Sequence, residues 1–548
     1  MNAADVLVEE LQARGVQFIA TLNGHGLDPF YLACRRVGMR MIDVRNEQAA
    51  SYMAEVTGRL TRSVGVCAVS GAVAHANGLT GVLNAHFDGA PMLLITGMTP
   101  LSRLGAGDFQ DFNPVPMAAP ICKYARLIDA PELTAQIVHE AFTAATSGRP
   151  GPVHLSLPID VAESELQPDQ LLRSRVRSGE VRVAGAANAE QIDKAMNLLA
   201  SAKHPVLVAG SGVYYSRGER ALARLAKQQQ IPTVVPIWDR GSIDRPLEEF
   251  VGVISAASGG PRVLPDADLI LMLGVAFDYR VGQLSPPVVS ADAKIIRVDT
   301  DATRLRTGLE ADLSIAASPA RVLDQLADAC QAANCPLAGE WLRELRQRRA
   351  VHQQHCLEYA EKLPAGINGR DVVLSIHDVL TDDTLVMVDG GNIGQWFHQL
   401  LGDRLPGHWV TCGASGVVGW GLPGAMAARS LYPDRPVILL SGDGSFTFTI
   451  AELECAARQK LRFVAVVADD QQWGISVSVH EQQYGAALYS MLGPTRLDQV
   501  AEGFGCHGVR VEEKSQLVPA LRTALSHDRP TVLHVPIVPS SPGGFAKE

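Results

Sequence analysis

The chain is expected to be an α/β protein of three doubly wound parallel-sheet domains, and three observations carry that expectation. Its 548 residues exceed what one hydrophobic core organises, so about three domains are expected. Short apolar runs of strand length alternate with longer stretches of helical period, the alternation of a parallel sheet with helices on both faces. Several of those runs end in glycine-rich or acidic turns, at the strand ends where open parallel sheets bind ligands. Hydrophobic residues at 47% and 50 glycines suit many tight strand-to-helix turns.

Taken in order, residues 3–14 carry apolar positions at helical spacing, 16–20 read as a strand, and Asn23-Gly24-His25-Gly26 as a sharp turn. A strand over 39–44 runs into Arg45-Asn46-Glu47, and a helix covers 48–59. Strands follow at 64–69, 92–96 and 153–157, with Gly71 to Asn77 expected as loop and His75 as a loop or interface residue. Residues 163–188 are polar, mixed in charge and without period, and read as a linker. The middle third opens with an apolar run into Gly210-Ser211-Gly212. That turn lacks the third spaced glycine of a dinucleotide fingerprint and is expected to be structural. A helix over 217–230 and a strand over 268–274 follow. Residues 337–363 form one long charged helical stretch, with Arg343, Arg346, Arg348 and Arg349 expected on a solvated face. The last third begins near Asp371, and its strand over 385–388 ends in Asp389-Gly390-Gly391-Asn392. Strands over 436–441 and 463–468 flank a helical pattern over 450–460. The first and last thirds thus share a layout, though not a residue-level repeat.

A net charge of −10 and a pI of about 5.9 argue against nucleic acid or an anionic membrane surface as partner. Nine cysteines without a C-x-x-C pair read as reduced thiols rather than a zinc or disulfide framework. The N-terminus lacks a basic, apolar leader, and no run of about 18 apolar residues occurs. A cytoplasmic protein without membrane spans is expected.

The chemistry concentrates in two turns. Gly442-Asp443-Gly444-Ser445 ends one apolar run, and Asp469-Asp470-Gln471-Gln472-Trp473-Gly474 ends the next. Asp443 and Asp470 stand 27 residues apart (470 − 443) on adjacent strand ends. Two carboxylates beside a turn of free N–H groups suit a hard cation holding a diphosphate.

Gly-Asp-Gly followed some 27 residues on by Asn or Asp resembles the signature of the thiamine-diphosphate enzymes. The Trp-Gly pair after it resembles the branch containing acetohydroxyacid synthase and benzaldehyde lyase, within the superfamily that also includes benzoylformate decarboxylase. The resemblance covers nearly the whole chain and implies a pyrimidine-binding domain over 1–165, a central domain over 190–335 and a diphosphate-binding domain over 365–548. It implies thiamine diphosphate and Mg²⁺, with Asp443, Asp470 and the Gln472 carbonyl as metal ligands. Gly390, Gly391, Asn392, Gly442, Gly444 and Ser445 would neighbour the diphosphate, with Trp473, Gly474 and Ile475 beside them. Gly413-Ala-Ser-Gly-Val-Val-Gly-Trp-Gly-Leu-Pro423 resembles the loop under the bent cofactor. In it Gly416 would offer its carbonyl to the 4′-amino group, and Val418 would be the apolar wedge where relatives often carry Met, Leu or Ile. Glu47 would hydrogen-bond the pyrimidine N1′; without the resemblance it reads as an acidic residue at a helix start. His25 and Gln110 would face the substrate, and Phe109-Gln110-Asp111 with Lys123 resemble elements of acetohydroxyacid synthase. Asp278 to Gly282 resembles a segment of the family's central domain, which holds FAD in acetohydroxyacid synthases and is empty or binds another nucleotide in many relatives, so the resemblance leaves FAD open.

Acetohydroxyacid synthases present an Arg and a Trp after Trp-Gly to hold a second 2-oxo acid. Here residues 475–483 read Ile-Ser-Val-Ser-Val-His-Glu-Gln-Gln, with neither. The expected activity is therefore C–C lyase or carboligase chemistry on a 2-oxo acid or 2-hydroxy ketone. Acetolactate synthesis with an atypical acceptor site and a non-catalytic cofactor-binding subunit are the alternatives. The resemblance also implies a homo-oligomer, dimer or tetramer, with each site shared between two chains.

Overall fold

Eighteen strands among the described residues form three separate six-stranded sheets, and every pairing in them is parallel. The structure, a computed structural model, describes residues 1–167, 185–239, 243, 245–255, 260, 262–308, 310–333, 337–402 and 409–542. Most of the expected linker, residues 168–184, lies outside the described residues.

The first sheet holds β1 (Ile19–Thr21), β2 (Met41–Asp43), β3 (Gly65–Val69), β4 (Met92–Met98), β5 (Tyr124–Leu127) and β6 (Pro152–Pro158) in the order β2-β1-β3-β4-β6-β5. The second holds β7 (Pro205–Ala209), β8 (Thr233–Pro236), β9 (Phe250–Ile254), β10 (Leu269–Leu273), β11 (Lys294–Asp299) and β12 (Leu313–Ala316), ordered β12-β11-β10-β7-β8-β9. The third holds β13 (Leu385–Asp389), β14 (Trp409–Thr411), β15 (Val437–Gly442), β16 (Val464–Asp469), β17 (His507–Arg510) and β18 (Thr531–Pro536), ordered β14-β13-β15-β16-β18-β17. Counted within each sheet, the first and third orders are identical, 2-1-3-4-6-5. The shared layout read from the sequence is therefore a shared topology. The second sheet, read from its far edge, is the 3-2-1-4-5-6 arrangement. Central strands such as β3, β4, β6 and β10 are buried at every residue because helices cover both faces.

Element ends moved where caps decide them. The helix expected over 48–59 is Glu47–Thr61, because the Asn46 side chain accepts Gln48 N–H and starts it one residue earlier. The expected loop at Gly71 to Asn77 is a correction: a helix, Val73–Asp88, begins within it. Its small residues pack it against the Glu47 helix, where a Cβ on Gly81 would stand 2.4 Å from Ser51 Oγ. Close helix contact hid the period that sequence reasoning uses. The structural reading of Gly210-Ser211-Gly212 is supported: Gly212 N–H donates to Gly274 O at 3.0 Å. A Cβ on Gly212 would meet Gly274 Cα at 2.5 Å. The long charged helix runs Gly339–Glu361, with Arg343 solvated while Arg348 pairs with Asp266 and Glu344. No described helix is long and apolar enough to cross a membrane.

The first and third domains meet where the Glu47–Thr61 helix packs on the helix Gly421–Leu431. At that seam Arg59, wholly buried, stands 3.4 Å from Glu55 and 3.9 Å from Asp88. Trp420 Nε1 donates to Glu55 Oε2 at 2.8 Å. Burial pushes the Glu55 carboxyl up to about 7, against the opposing pull of Arg59. A carboxyl raised above its unfolded value lends full stability below pH about 4.5 and loses it as pH rises through 7. Glu55→Gln keeps an acceptor for Trp420. Its melting temperature should match wild type at pH 5 and exceed it by roughly 2–3 °C at pH 8, read by calorimetry at both pH values.

Candidate functional site

The third sheet reverses its strand order between β13 and β15, and the loops leaving those strands carry the candidate diphosphate residues. Gly390 has φ +145°, and a Cβ there would stand 2.7 Å from Gly442 N. Gly391 packs against Ile475, whose Cδ1 would lie 3.1 Å from an added Cβ. Asn392, 7% exposed, opens the helix Asn392–Leu400 and accepts the Ser541 hydroxyl at 2.7 Å. Gly474 lies between two of these groups: its Cβ would meet Asn392 Nδ2 at 2.2 Å and Asp470 Oδ2 at 2.9 Å. Gly444 abuts the Trp473 ring, which would lie 2.8 Å from a Cβ. Buried Ser445 stands beside the Asp389 carboxylate, which accepts Gly421 N–H at 2.7 Å and which burial pushes up to about 7. A Cβ on Gly442 would meet nothing within 4 Å, so this cradle opens into free space there. Residues 390–392, 442–445 and 470–475 thus come together from three loops.

Asp443 starts the short helix Asp443–Phe448 and is 6% exposed. Burial, then the charges of Asp470 and Asp469, push its carboxyl up to about 7. Burial likewise raises Asp470 to about 6, although the side chain and N–H of Gln472 pull it down. Buried Asp443, raised by the charge of half-buried Asp470, forms with it a donor set a cation would relieve. No group of three or more His, Cys, Asp and Glu residues with metal-binding geometry occurs among the described residues. The donors are two carboxylates with backbone oxygens nearby, which fits Mg²⁺ completed by phosphate oxygens and water rather than zinc. Gln471, with φ +55°, gives the turn after Asp470 its sharp reversal. Behind it, His534 Nε2 lies 2.8 Å from Asp469 Oδ2, and His534 Nδ1 lies 3.1 Å from Asp498 Oδ1. Sequence reading missed this support because its members lie far apart along the chain.

Between β14 and the helix Gly421–Leu431 runs the loop with Gly416 and Val418. Gly413, Gly416 and Gly419 all have positive φ there. Gly416 is exposed with open space at its Cβ position, and Val418 is half-buried.

The other candidates sit on the first sheet. The β1–β3 boundary is its order reversal, and His25 follows β1 while Ser70 follows β3. Ser70 Oγ lies 2.8 Å from both the His25 carbonyl and Gln110 Oε1. A hydroxyl carries one proton, so the Gln110 amide turns to suit it. The exposed His25 ring meets Phe109 edge-on at 5.4 Å, and Gln110 is held at φ +57°. Asp111 shapes this loop by accepting the N–H groups of Gly105 and Gly107 at 2.8 and 2.7 Å. Half-buried Glu47 is the first residue of its helix and accepts Asn77 Nδ2 at 2.9 Å. The preceding N–H groups of Arg45 and Asn46 go to Glu452. His25 and Gln110 are thus brought together, and Glu47 is paired with Asn77. Among the described residues, the side-chain hydrogen bonds of Glu47 and Gln110 stay within the first domain. Lys123 stands elsewhere, its Nζ donating to Ser147 O and Arg149 O. His75 is buried in its helix, sharing the Thr96 hydroxyl with His154 at 2.9 and 3.0 Å. Asn77 and Ser70 escaped sequence reading because a lone Asn or Ser in a glycine- and alanine-rich stretch carries no pattern.

Three family models match the chain. They are the N-terminal TPP binding domain of thiamine pyrophosphate enzymes over 1–117, the central domain over 192–326 and the C-terminal TPP binding domain over 389–535. An acetolactate synthase large subunit from Mycobacterium tuberculosis is 30% identical over 546 residues, covering 98% of this chain and 96% of that protein. A glyoxylate carboligase from Escherichia coli O157:H7 is 29% identical over 96% of this chain and 90% of its own length. A 2-hydroxyacyl-CoA lyase 2 from Caenorhabditis elegans is 28% identical over 94% and 85%.

Proposed function

The chain belongs to the thiamine pyrophosphate enzymes, and from that membership we propose that it cleaves or joins the C–C bond beside a carbonyl of a 2-oxo acid or 2-hydroxy ketone. The observation that carries the site assignment is the Asp443–Asp470 pair, in which the charge of half-buried Asp470 raises buried Asp443 at the mouth of a glycine-lined cradle. When bound, thiamine diphosphate supplies a nucleophilic thiazolium carbon and an electron sink. Asp443, Asp470 and the Gln472 carbonyl would hold Mg²⁺. Gly390, Gly391, Asn392, Gly444 and Ser445 would hold the diphosphate, with Trp473, Gly474 and Ile475 walling the cradle. Val418 would press between the rings, and the Gly416 carbonyl would accept from the 4′-amino group. Glu47 would share a proton with N1′ of the pyrimidine, and Asn77 orients its carboxyl for that contact. His25 and Gln110, tied through Ser70, would face the substrate.

Glu47 of one protomer and Asp443 with Asp470 of another would form each site, so the working unit is at least a dimer. Large apolar side chains exposed around both half-sites support a second copy there: Val73 (71%), Phe109 (70%), Phe448 (55%) and Tyr489 (106%).

The acceptor wall narrows the substrate. The helix Gly474–Tyr484 carries no Arg or Lys, and Arg103 in the Gln110 loop is bound to Asp108 at 2.7 Å. A carboxylate-bearing acceptor finds no free cation on either element. Decarboxylation, or ligation with an aldehyde acceptor, therefore fits better. Acetolactate synthesis stands second, on the activity for which the Mycobacterium tuberculosis relative is named. A non-catalytic role is opposed by Glu47, which binding alone does not require.

Incubation with thiamine diphosphate, Mg²⁺ and a panel of 2-oxo acids and acyloins tests the reading. Aldehyde or acyloin products are expected; acetolactate from pyruvate would favour the second reading, and no turnover at all would refute both. Flavin is decided by absorbance at roughly 450 nm in the purified protein. Gly212 and buried Arg280, which bear on that question, are committed to Gly274 and to Asp278.

A further inference from the structure

The loop over 411–419 carries Gly416 and Val418, yet its own backbone does little to shape it. Three of its residues are glycines at φ +99°, +68° and +78°, and Gly416 N–H donates to Gly413 O at 3.1 Å. Within its own domain Thr449 Oγ1 donates to Gly419 O at 2.8 Å, and the holds on residues 411 and 413–415 come from the two other domains. Asp88, the last residue of the helix Val73–Asp88, accepts Ala414 N–H at 3.0 Å. Its second oxygen lies so close to Gly413 that a Cβ there would stand 1.8 Å away. One turn earlier, Asn84 Oδ1 accepts the Ser415 hydroxyl at 2.5 Å. Arg59 Nη1 donates to Thr411 O at 2.7 Å while facing Asp88. From the second domain, the Tyr279 hydroxyl donates to Ala414 O at 3.1 Å.

This arrangement is costly. Arg59 Nε and Nη2, Asp88 Oδ2 and Asn84 Nδ2 are buried without hydrogen-bond partners. Apolar side chains of similar volume would often fill such a seam at no loss of stability. The charges therefore earn their place through the geometry they impose. Asp88 is itself rigidly placed, since its helix meets the Glu47 helix with no room for a Cβ at Gly81.

We propose that Asp88, held by Arg59, is a positioning residue that sets the Gly416 carbonyl and Val418 against the pyrimidine end of the cofactor. The inference rests on the reading above that this loop lies under thiamine diphosphate. Asp88 touches neither cofactor nor substrate and acts through the backbone of Gly413 and Ala414.

Deuterium exchange at the thiazolium C2 of bound thiamine diphosphate reads that geometry, whereas cofactor affinity and melting temperature read binding and folding. Wild type should exchange faster than free cofactor, and Glu47→Gln should slow it. Failure of either arm refutes the site reading itself, before Asp88 is considered. Asp88→Ala should slow exchange at least about 30-fold with affinity held within about threefold, since a misplacement near 1 Å can cost about 100-fold. Asp88→Asn retains an acceptor for Ala414 N–H and should recover to within about fivefold of wild type. Half-exposed Tyr279 permits a milder variant, and Tyr279→Phe should slow exchange about threefold. Wild-type exchange in Asp88→Ala overturns the proposal, as does a slowing matched by an equal loss of affinity. Should Asp88→Ala not fold, wild-type exchange in both Tyr279→Phe and Asn84→Ala overturns it instead.

Discussion

Glu47→Gln is expected to lower turnover by about 10²–10³-fold while changing thiamine diphosphate affinity by less than about threefold, the range of a lost proton-transfer group. The substitution keeps the side chain's length and its acceptor for Asn77 Nδ2, so the helix start and the Asn77 contact survive. What it removes is the acidic proton that Glu47 would share with the pyrimidine nitrogen in the proposed site. Steady-state kinetics on the best substrate of the panel, beside a fluorescence titration of the cofactor, separates the two quantities. Parallel loss of affinity and turnover would assign Glu47 to binding. Unchanged turnover would return it to an ordinary acidic residue at a helix start.

Asp443→Ala should abolish most Mg²⁺-dependent cofactor binding, weakening it by at least about 100-fold, because even outer-shell changes cost about 10–100-fold at metal sites. The cofactor-free protein should respond in the opposite direction. Asp443 is raised to about 7 by burial and by the neighbouring charges of Asp470 and Asp469. Its ionised form therefore costs stability that grows as pH rises from the unfolded value through 7. At pH 8 the Asp443→Ala protein without cofactor should melt at or above the wild-type temperature, and the rise on adding thiamine diphosphate and Mg²⁺ should vanish. A wild-type cofactor shift in this variant would remove Asp443 from the metal site. A drop in the melting temperature of the cofactor-free protein would mean that the carboxylate pair is structural.

Much of this protein is legible from local signals. Apolar runs of five or six residues ending in Gly or Asp mark β13, β15 and β16, because a buried parallel strand needs continuous apolar residues and its ligand loop needs backbone freedom. The 27-residue spacing of Asp443 and Asp470 is one strand–helix–strand repeat, so both carboxylates had to reach the same sheet edge. Glu47 at a helix start was equally local. The helix at Val73 shows no period in the sequence because its exposed face carries the apolar Val73, Leu83 and Phe87 while its buried face is built from small residues such as Gly78 and Gly81.

Sequence alone therefore determined the α/β architecture, the glycine turns and the chemical character of the strand ends, since each follows from residues within one turn or one strand of each other. Tertiary structure alone decided which side chains hold those turns. The bond from Ala414 to Asp88 spans 326 positions, that from Trp420 to Glu55 spans 365, and the Arg59–Thr411 contact spans 352. Such pairings depend on how two sheets and their helices dock, and no periodicity, cap or turn preference encodes a partner so far along the chain.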